Sequence, residues 1–289
     1  MKKNIIFVVN PISGDLDKSD LIEAVQEFAT TNNFDLEVYE TTGKSDQKEI
    51  QSLYNQYSPE RIIVAGGDGT IKMVAEAVEQ FDVIIGILPA GSANGLSVDL
   101  NLPTTIEENL KIAFLHHYID MDMICINGKK SIHLSDIGIN ADLVKNYEES
   151  NMRGFWGYAL QAYTTLVDSN EPFVATIKTK KETVEHTARM IVIANSQKYG
   201  TGVTINPHGA MNDGRFELVI LKSLDILLLG KIITGNMPID SDDIVIISTD
   251  KAEITTNYPV NFQIDGEYCG AQSSLEIHIL HKQMKIAVP

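Results

Sequence analysis

The chain has 289 residues, of which 44% are apolar and 21% charged, and a formal net charge of −16. That balance describes a folded globular protein of about two ordinary domains. It excludes the basic footprint that nucleic acid requires and the polybasic patch that holds a protein on an anionic membrane, so membrane-surface contact is expected to be transient at most.

The first part of the chain alternates strand and helix. Asn4–Val9 is the opening strand, and 20–30 places Ile22, Val25, Phe28 and Ala29 on one helical face. Phe34–Tyr39 alternates like a strand, and 45–57 carries Ile50, Leu53, Tyr54 and Tyr57 as a second helical stripe. A strand at 61–65, a helix at 71–80 and a strand at 83–88 follow. This order predicts an α/β domain over residues 1–120, built on a parallel sheet covered on both faces. From about residue 120 short strand-like runs dominate, at 121–126, 131–138, 173–179, 187–194, 215–221, 243–248, 252–256, 260–264 and 274–280. They predict a β-rich antiparallel sandwich over residues 121–289, its last strand a candidate to return to the first domain. Helices are expected at Trp156–Val167 and Leu224–Gly235, and the aromatic stretch 154–160 reads as a core-packing helix or the lining of an apolar channel.

Met1-Lys2-Lys3 leads straight into a strand and not into an apolar leader. The most apolar later segment, 226–233, is interrupted by Gly230 and Lys231, well short of the roughly 20 residues of a spanning helix. Cys125 and Cys269 have no metal-ligand spacing and read as reduced thiols. A cytoplasmic protein, at most peripherally attached to a membrane, is the expectation.

The chemistry gathers where strands end. Gly66-Gly67-Asp68-Gly69-Thr70 lies between a strand and a helix, where glycines let bare N–H groups approach an anion and the helix N-terminus adds about half a positive charge. A phosphate would repel Asp68 unless a metal or a hydroxyl stands between them, which marks the loop for phosphoryl transfer; the plain alternative makes Asp68 a helix N-cap. Asn10-Pro11-Ile12-Ser13-Gly14 and Pro89–Gly95 are further small-residue loops at the ends of the first and fourth strands. In an open α/β sheet, ligands bind at such carboxyl ends. In the second half, Asn212-Asp213-Gly214-Arg215 reads as a tight hairpin turn, and its Asp213 and loop carbonyls could also offer oxygens to Mg²⁺. Asp265-Gly266-Glu267 sets two carboxylates one residue apart, able to deprotonate a hydroxyl or hold Mg²⁺, or else forms an Asp-Gly hairpin turn.

Taken together and in order, these segments, with Thr41-Thr42-Gly43-Lys44, resemble the diacylglycerol kinase catalytic-domain superfamily, which includes sphingosine and ceramide kinases and the bacterial soluble lipid kinases. The resemblance implies a nucleotide-binding α/β domain, a β-rich lipid-binding domain and catalysis in the cleft between them. It implies that ATP is held by Asn10, Ser13, Gly14, Thr41, Gly66, Gly67, Asp68, Gly69, Thr70, Ser92 and Asn94. It further implies Mg²⁺ at Asp213 with backbone oxygens of Ala210 and Arg215, and a lipid hydroxyl activated by Glu267, with Asp68 or Asp265 as alternative acids. The acceptor is a lipid or similar amphiphile, and a homodimer is left open. The chain departs from the family pattern at Lys72 and Met73, where Asn-Glu is usual, at Gly95, where an aspartate is usual, and at Val98, where an arginine is frequent. An NAD kinase shares the Gly-Gly-Asp-Gly-Thr loop but expects an acid after Asn94; a regulator that binds nucleotide or lipid without catalysis is the other alternative.

Overall fold

The computed structural model describes residues 2–15, 17–92, 94–148, 171–199, 203–223 and 241–289. The helices expected at Trp156–Val167 and Leu224–Gly235, and the aromatic stretch 154–160, lie outside the described residues. The chain forms two compact units, residues 1–121 with 282–289, and residues 122–281.

The first unit alternates β1 (Lys3–Val9), α1 (Ser19–Thr31), β2 (Phe34–Glu40), α2 (Asp46–Tyr57), β3 (Arg61–Gly66), α3 (Asp68–Ala77) and β4 (Ile84–Pro89). These strands pair in parallel in the order β2-β1-β3-β4, and Lys285 and Ile286 of the final strand add to β4, again in parallel. The last strand therefore does come back to this unit. Every residue of β3 and the last five of β1 are buried, as expected of strands covered on both faces. The residues of α1 that face the sheet, Val25 and Ala29, pack with Phe7, Ile63, Leu88 and Phe114 in one apolar cluster.

Two helices absent from the sequence-based expectation, α4 (Gly95–Asp99) and α5 (Ile106–Leu115), close the unit. The short α4 has too few residues for a periodic pattern. Gly86 on β4 lets α5 lie close: a Cβ there would stand 2.7 Å from the Ala113 carbonyl oxygen and 2.8 Å from its Cα. Because the chain leaves β1 for β2 on one side and returns to β3 on the other, the order in which strands are added reverses between β1 and β3, all of them staying parallel. The loops that follow these two strands flank that switch point, where open α/β sheets bind ligands.

The second unit is built from β5 (Tyr118–Ile126, entered from the first unit), β6 (Lys129–Ser131), β7 (Leu134–Gly138), α6 (Ile139–Glu148), β8 (Phe173–Thr179), β9 (Thr183–Ala188), β10 (Met190–Ala194), β11 (Lys198–Tyr199), β12 (Val203–Thr204), β13 (Phe216–Leu221), β14 (Ile244–Thr249), β15 (Lys251–Ile264) and β16 (Glu267–Ala287). Antiparallel pairing runs β14-β13-β10-β7-β15-β16, and β8 and β9 extend from the first half of β15. Ile191, Ile193, Phe216, Leu218 and Ile220 share an apolar cluster with Phe173, Ile177, Ile254 and Ile277, the interior expected of a sandwich.

Five strand expectations change. The run 131–138 breaks at Ile132 and His133, because the Asp265 carboxylate takes their N–H groups out of the ladder. The run 187–194 breaks at Arg189, where the chain passes from β8 as partner to β13 and β7. The runs 252–256 and 260–264 are one strand with register shifts between, exchanging β8 for β7 as neighbour. The run 274–280 is the middle of a strand that extends from 267 to 287. Helix α6 was not expected, since Asn140 and Asp142 blur its apolar face.

Gly86→Ala should lower stability by about 1–3 kcal/mol, the usual cost of forcing extra volume into a packed contact. Thermal unfolding of the variant against the parent protein measures it.

Candidate active site

Three loops meet at the carboxyl ends of β1, β3 and β4, and glycine is what lets them meet. A Cβ on Gly91 would lie 2.4 Å from the Gly67 Cα, and one on Gly14, whose φ is +66°, would lie 2.9 Å from the Ala90 carbonyl oxygen. Side chains then tie the loops together. The Asn10 Nδ2 donates to the Thr70 Oγ1 at 3.0 Å, and its Oδ1 accepts the Ile12 N–H. The Ser13 hydroxyl donates to the carbonyls of Ala90 (2.8 Å) and Asn10 (3.1 Å), while the buried Lys18 donates to the Ser13 carbonyl. Asn94, in the left-handed region at φ +51°, closes its own loop on Gly91 with both amide atoms.

Asp68 occupies the first turn of α3, yet caps a different helix. Its Oδ2 accepts the Gly95 N–H at 2.8 Å and its Oδ1 the Leu96 N–H at 3.1 Å, both at the start of α4. The expectation of an N-cap within its own helix is corrected: Gly67 holds that place and α3 has no side-chain cap. Among Asn10–Gly14, Gly66–Thr70 and Ala90–Gly95, Asp68 is the sole formally charged residue. Any anion bound there meets backbone N–H groups and hydroxyls, with no lysine or arginine inside the loops.

Beside them, the Thr41 N–H bonds the Val9 carbonyl, which seats the 41–44 segment next to the end of β1. Asp46 shapes that segment, accepting from the N–H groups of Thr42 (2.9 Å) and Gly43 (2.8 Å) and from the Tyr39 hydroxyl (2.7 Å). Burial alone would raise the Asp46 pKa, but these donors outweigh it and hold the carboxyl below its usual value. Burial and the same carboxylate push the Tyr39 phenol up to about 12.

In the second unit, Asp265 and Gly266 are the two central residues of a hairpin turn closed by Ile264 and Glu267, with φ of +50° and +86°. Both positive angles identify a type I′ turn, so the plain hairpin alternative for this motif holds. The Asp265 carboxylate is engaged by residues 131–133. Its Oδ1 accepts the Ser131 hydroxyl (2.8 Å) and the His133 N–H (3.1 Å), and its Oδ2 the Ile132 N–H (3.2 Å). Asp265 is engaged with the backbone of 131–133, while Glu267 opens β16 exposed to solvent.

The Asn212–Arg215 turn is not a hairpin, since the strand after it pairs with β10 and β14. Asp213 closes it by accepting the Arg215 N–H at 2.9 Å. Sequence reasoning missed the residue beneath it. Fully buried Asp122 accepts the Gly214 N–H at 2.7 Å, bonds the His281 Nδ1 at 2.7 Å, and donates its own N–H to the Met211 carbonyl. An acid within an apolar alternating strand was the available signal. Asp213 and the carbonyls of Ala210 and Arg215 are oxygen donors of the kind Mg²⁺ prefers. Among the described residues, no group of three or more His, Cys, Asp or Glu could hold a metal ion, so a cation here would rest on fewer than three such side chains together with backbone oxygens.

The second unit also has a cavity of about 340 Å³, lined by Ile139, Asp142, Phe173, Arg189, Tyr258 and Asn261 among others. The Asn261 amide donates to Asp142, and the Tyr258 hydroxyl donates to the Glu171 carbonyl at 2.8 Å. Burial, reinforced by the negative charges of Glu171 and Asp142, raises the Tyr258 pKa. No motif pointed to this cavity, because its lining comes from four separate segments.

Residues 4–126 match the family described as diacylglycerol kinase catalytic domain, and residues 136–288 the one described as YegS C-terminal NAD kinase beta sandwich-like domain. The chain is 25% identical over 281 residues to "Probable lipid kinase YegS" of Escherichia fergusonii, covering 94% of this chain and 92% of that protein. It is 26% identical to "Uncharacterized protein sll0036" of Synechocystis, covering 98% of this chain and 69% of that one. A crystal structure described as a diacylglycerol kinase from Bacillus anthracis superposes with a TM-score of 0.76 at 19% identity, covering 99% of this chain and 97% of that one. A second structure from that organism gives a TM-score of 0.81 at 22% identity with the same coverage. At those identities the superpositions establish the fold.

The depressed pKa of Asp46 has a signed consequence. A carboxylate favoured in the folded state adds stability that is present above its unfolded pKa, about 3.9, and is lost as pH falls through the folded value. The melting temperature should therefore fall with acid below about pH 4, and Asp46→Asn should flatten that part of the curve relative to the parent. Thermal unfolding across pH 2.5–6 reads both, and parallel curves for the two proteins would refute the assignment.

Proposed function

The chain belongs to the lipid kinase family that joins a diacylglycerol kinase catalytic domain to a YegS C-terminal domain, and from that premise we propose an ATP- and Mg²⁺-dependent kinase that transfers the γ-phosphate to a hydroxyl of a diacylglycerol- or sphingosine-like acceptor. The observation that supports it best is the meeting of three glycine-bearing loops at the β1/β3 switch point, where donors face an anion without a cationic side chain among them. Phosphoryl transfer asks for positioning and charge neutralisation more than for covalent help. A divalent cation carried with the nucleotide would supply the charge that the loops lack.

In this proposal the backbone of Gly66, Gly67, Gly69 and Gly14 approaches the phosphates. Asn10 and Ser13 fix the loops, and Asn10, Thr41, Thr70, Ser92 and Asn94 offer donors to the nucleotide, with Ser13 holding the wall of its site. Asp68 orients the third loop through Gly95 and Leu96 and would be the carboxylate that meets the nucleotide's cation. Glu267 takes the proton of the attacking hydroxyl. Asp265, whose oxygens serve residues 131–133, supports that turn and is not itself the base. Asp213, with the carbonyls of Ala210 and Arg215, would hold a second Mg²⁺ whose charge would brace that loop.

The cavity bounded by Asp142, Arg189 and Tyr258 is the proposed seat of the acceptor's polar head. A site with acidic, basic and amide groups suits hydroxyl and amine donors better than a bare acyl chain.

Transfer of labelled γ-phosphate from Mg·ATP to mixed micelles of diacylglycerol, monoacylglycerol, sphingosine, ceramide or phosphatidylglycerol, with NAD in a parallel tube, tests the proposal. Label is expected in an organic-extractable product, is lost with EDTA, and falls by about 100-fold or more in Glu267→Gln. Full turnover by Glu267→Gln would remove Glu267 as the base, and label in NADP alone would overturn the lipid acceptor. Asp142→Asn should raise KM for the acceptor about tenfold with KM for ATP unchanged, the effect of one weakened charge-assisted hydrogen bond.

A further inference from the structure

A base at the first residue of a strand is only as well placed as the turn before it. The turn before Glu267 has two residues, both at positive φ, and offers little packing of its own. Its position is fixed from beneath. Gln263, on the last stretch of β15 and 1% exposed, accepts the Gly266 N–H on its Oε1 at 2.7 Å. The Gln263 Nε2 donates to the Asp136 Oδ2, directly across the ladder on β7. Asp136 is 0% exposed, and the same oxygen accepts the Asn140 Nδ2 at 2.7 Å.

An amide can present either end to its surroundings, and here its NH₂ meets a carboxylate oxygen that also accepts from Asn140. With its Nε2 turned to Asp136, Gln263 leaves its oxygen facing the Gly266 N–H. Asn140 holds Asp136 from the other side. The arrangement conveys a fixed direction from a buried carboxylate, through a buried amide, to the backbone of the residue before Glu267. An apolar pair of the same volume would fill this space without burying polar groups, which is generally no worse for stability. What the polar pair adds is the bond to Gly266.

We infer that Gln263, oriented by Asp136, is a positioning residue for Glu267, holding the Asp265-Gly266 turn so that the Glu267 carboxylate meets the acceptor hydroxyl. This rests on Glu267 being the base. The inference separates the two acids of the Asp-Gly-Glu motif: Asp265 ties the turn to residues 131–133, Gln263 sets its height over the sheet, and Glu267 alone touches the reacting group.

The experiment is a set of variants of the full-length protein, read as kcat, KM for ATP, the pH profile of kcat and melting temperature. Gln263→Met keeps the volume and removes the acceptor; kcat should fall by tens-fold up to about 100-fold, the penalty for a base displaced by about 1 Å. KM for ATP should stay within about twofold, since no nucleotide contact changes. Gln263→Glu sets a second carboxylate against Asp136 and should be at least as impaired. Adding Asp136→Asn to it reverses the pair: the amide introduced at 136 donates to the carboxylate introduced at 263, which still accepts from Gly266. That double variant should recover kcat to within about threefold of the parent, a coupling that independent structural damage does not produce.

The outcomes are distinguishable. If Glu267→Gln keeps its turnover, the base assignment fails. If Glu267→Gln is inactive while Gln263→Met and Gln263→Glu keep full kcat, the positioning inference is overturned and the base assignment stands. If the double variant melts cooperatively at the parent temperature and stays as slow as Gln263→Glu, the orienting role of Asp136 is overturned. Should Gln263→Met fail to fold, the reversed pair decides alone.

Discussion

The structure of the first unit turns on one carboxylate. Asp68 leaves the end of β3 and gives both oxygens to the first N–H groups of α4, so the loop after β3 and the loop after β4 are one object. Gly67 and Gly91 permit this by removing the atoms that would otherwise hold the two backbones apart. Ser13 and Asn10 add the loop after β1 through Ala90 and Thr70. A ligand that binds by backbone N–H groups needs them aimed in advance, because a mobile loop would spend the binding energy on its own ordering. Here the aiming is done by short side chains between loops, and their hydrogen bonds are the reason those side chains are Asn, Ser, Thr and Asp.

The second unit solves a similar problem with different means. Its hairpin between β15 and β16 must hold an exposed glutamate on two residues of left-handed backbone, and the sheet beneath supplies what the turn lacks. Asp265 captures three donors of the 131–133 segment, and in doing so breaks what would have been one continuous strand into β6 and β7. Asp122 does the same service for the Asn212–Arg215 turn, joining Met211, Gly214 and His281. In both places a buried or half-buried aspartate organises backbone N–H groups, leaving a neighbouring acid, Glu267 or Asp213, toward the surface. Buried carboxylates are tolerable only when well supplied with donors, and both are.

How much of this was legible follows from what each signal depends on. The parallel sheet could be read because β1, β3 and β4 are short apolar runs with glycine-rich ends, and α1 and α2 have a plain helical period. The three loops could be read because their composition has no other use. Asp68 could be seen to be unusual, but not which N–H groups it serves, since α4 is five residues long and carries no period. Asp122, Asp136 and Gln263 were harder to read for another reason: each has a partner far away in sequence, and a single polar residue inside an apolar strand does not name its partner. The cavity at Asp142, Arg189 and Tyr258 shares that cause. The fused strand 251–264 was split in expectation because Asn257 and Pro259 look like a turn, whereas the structure absorbs them as an irregularity at which β15 changes neighbours.

The departure at Gly95 then has a physical meaning within this chain. The position after Asn94, where an acid would carry a second carboxylate into the loops, is instead a buried glycine whose N–H is spent on Asp68. A carboxylate there would stand beside Asp68 at the same helix start, and two like charges so close would raise the cost of keeping both ionised. With glycine, the loops hold a single negative charge, already stabilised by two N–H donors. Mg²⁺ is content with one or two protein carboxylates when phosphate oxygens and water complete its shell. On the proposed function, a cation at these loops would therefore arrive on the nucleotide rather than wait in the protein, and its affinity for the protein alone would be weak. On that proposal, the loops would tie metal binding to nucleotide binding.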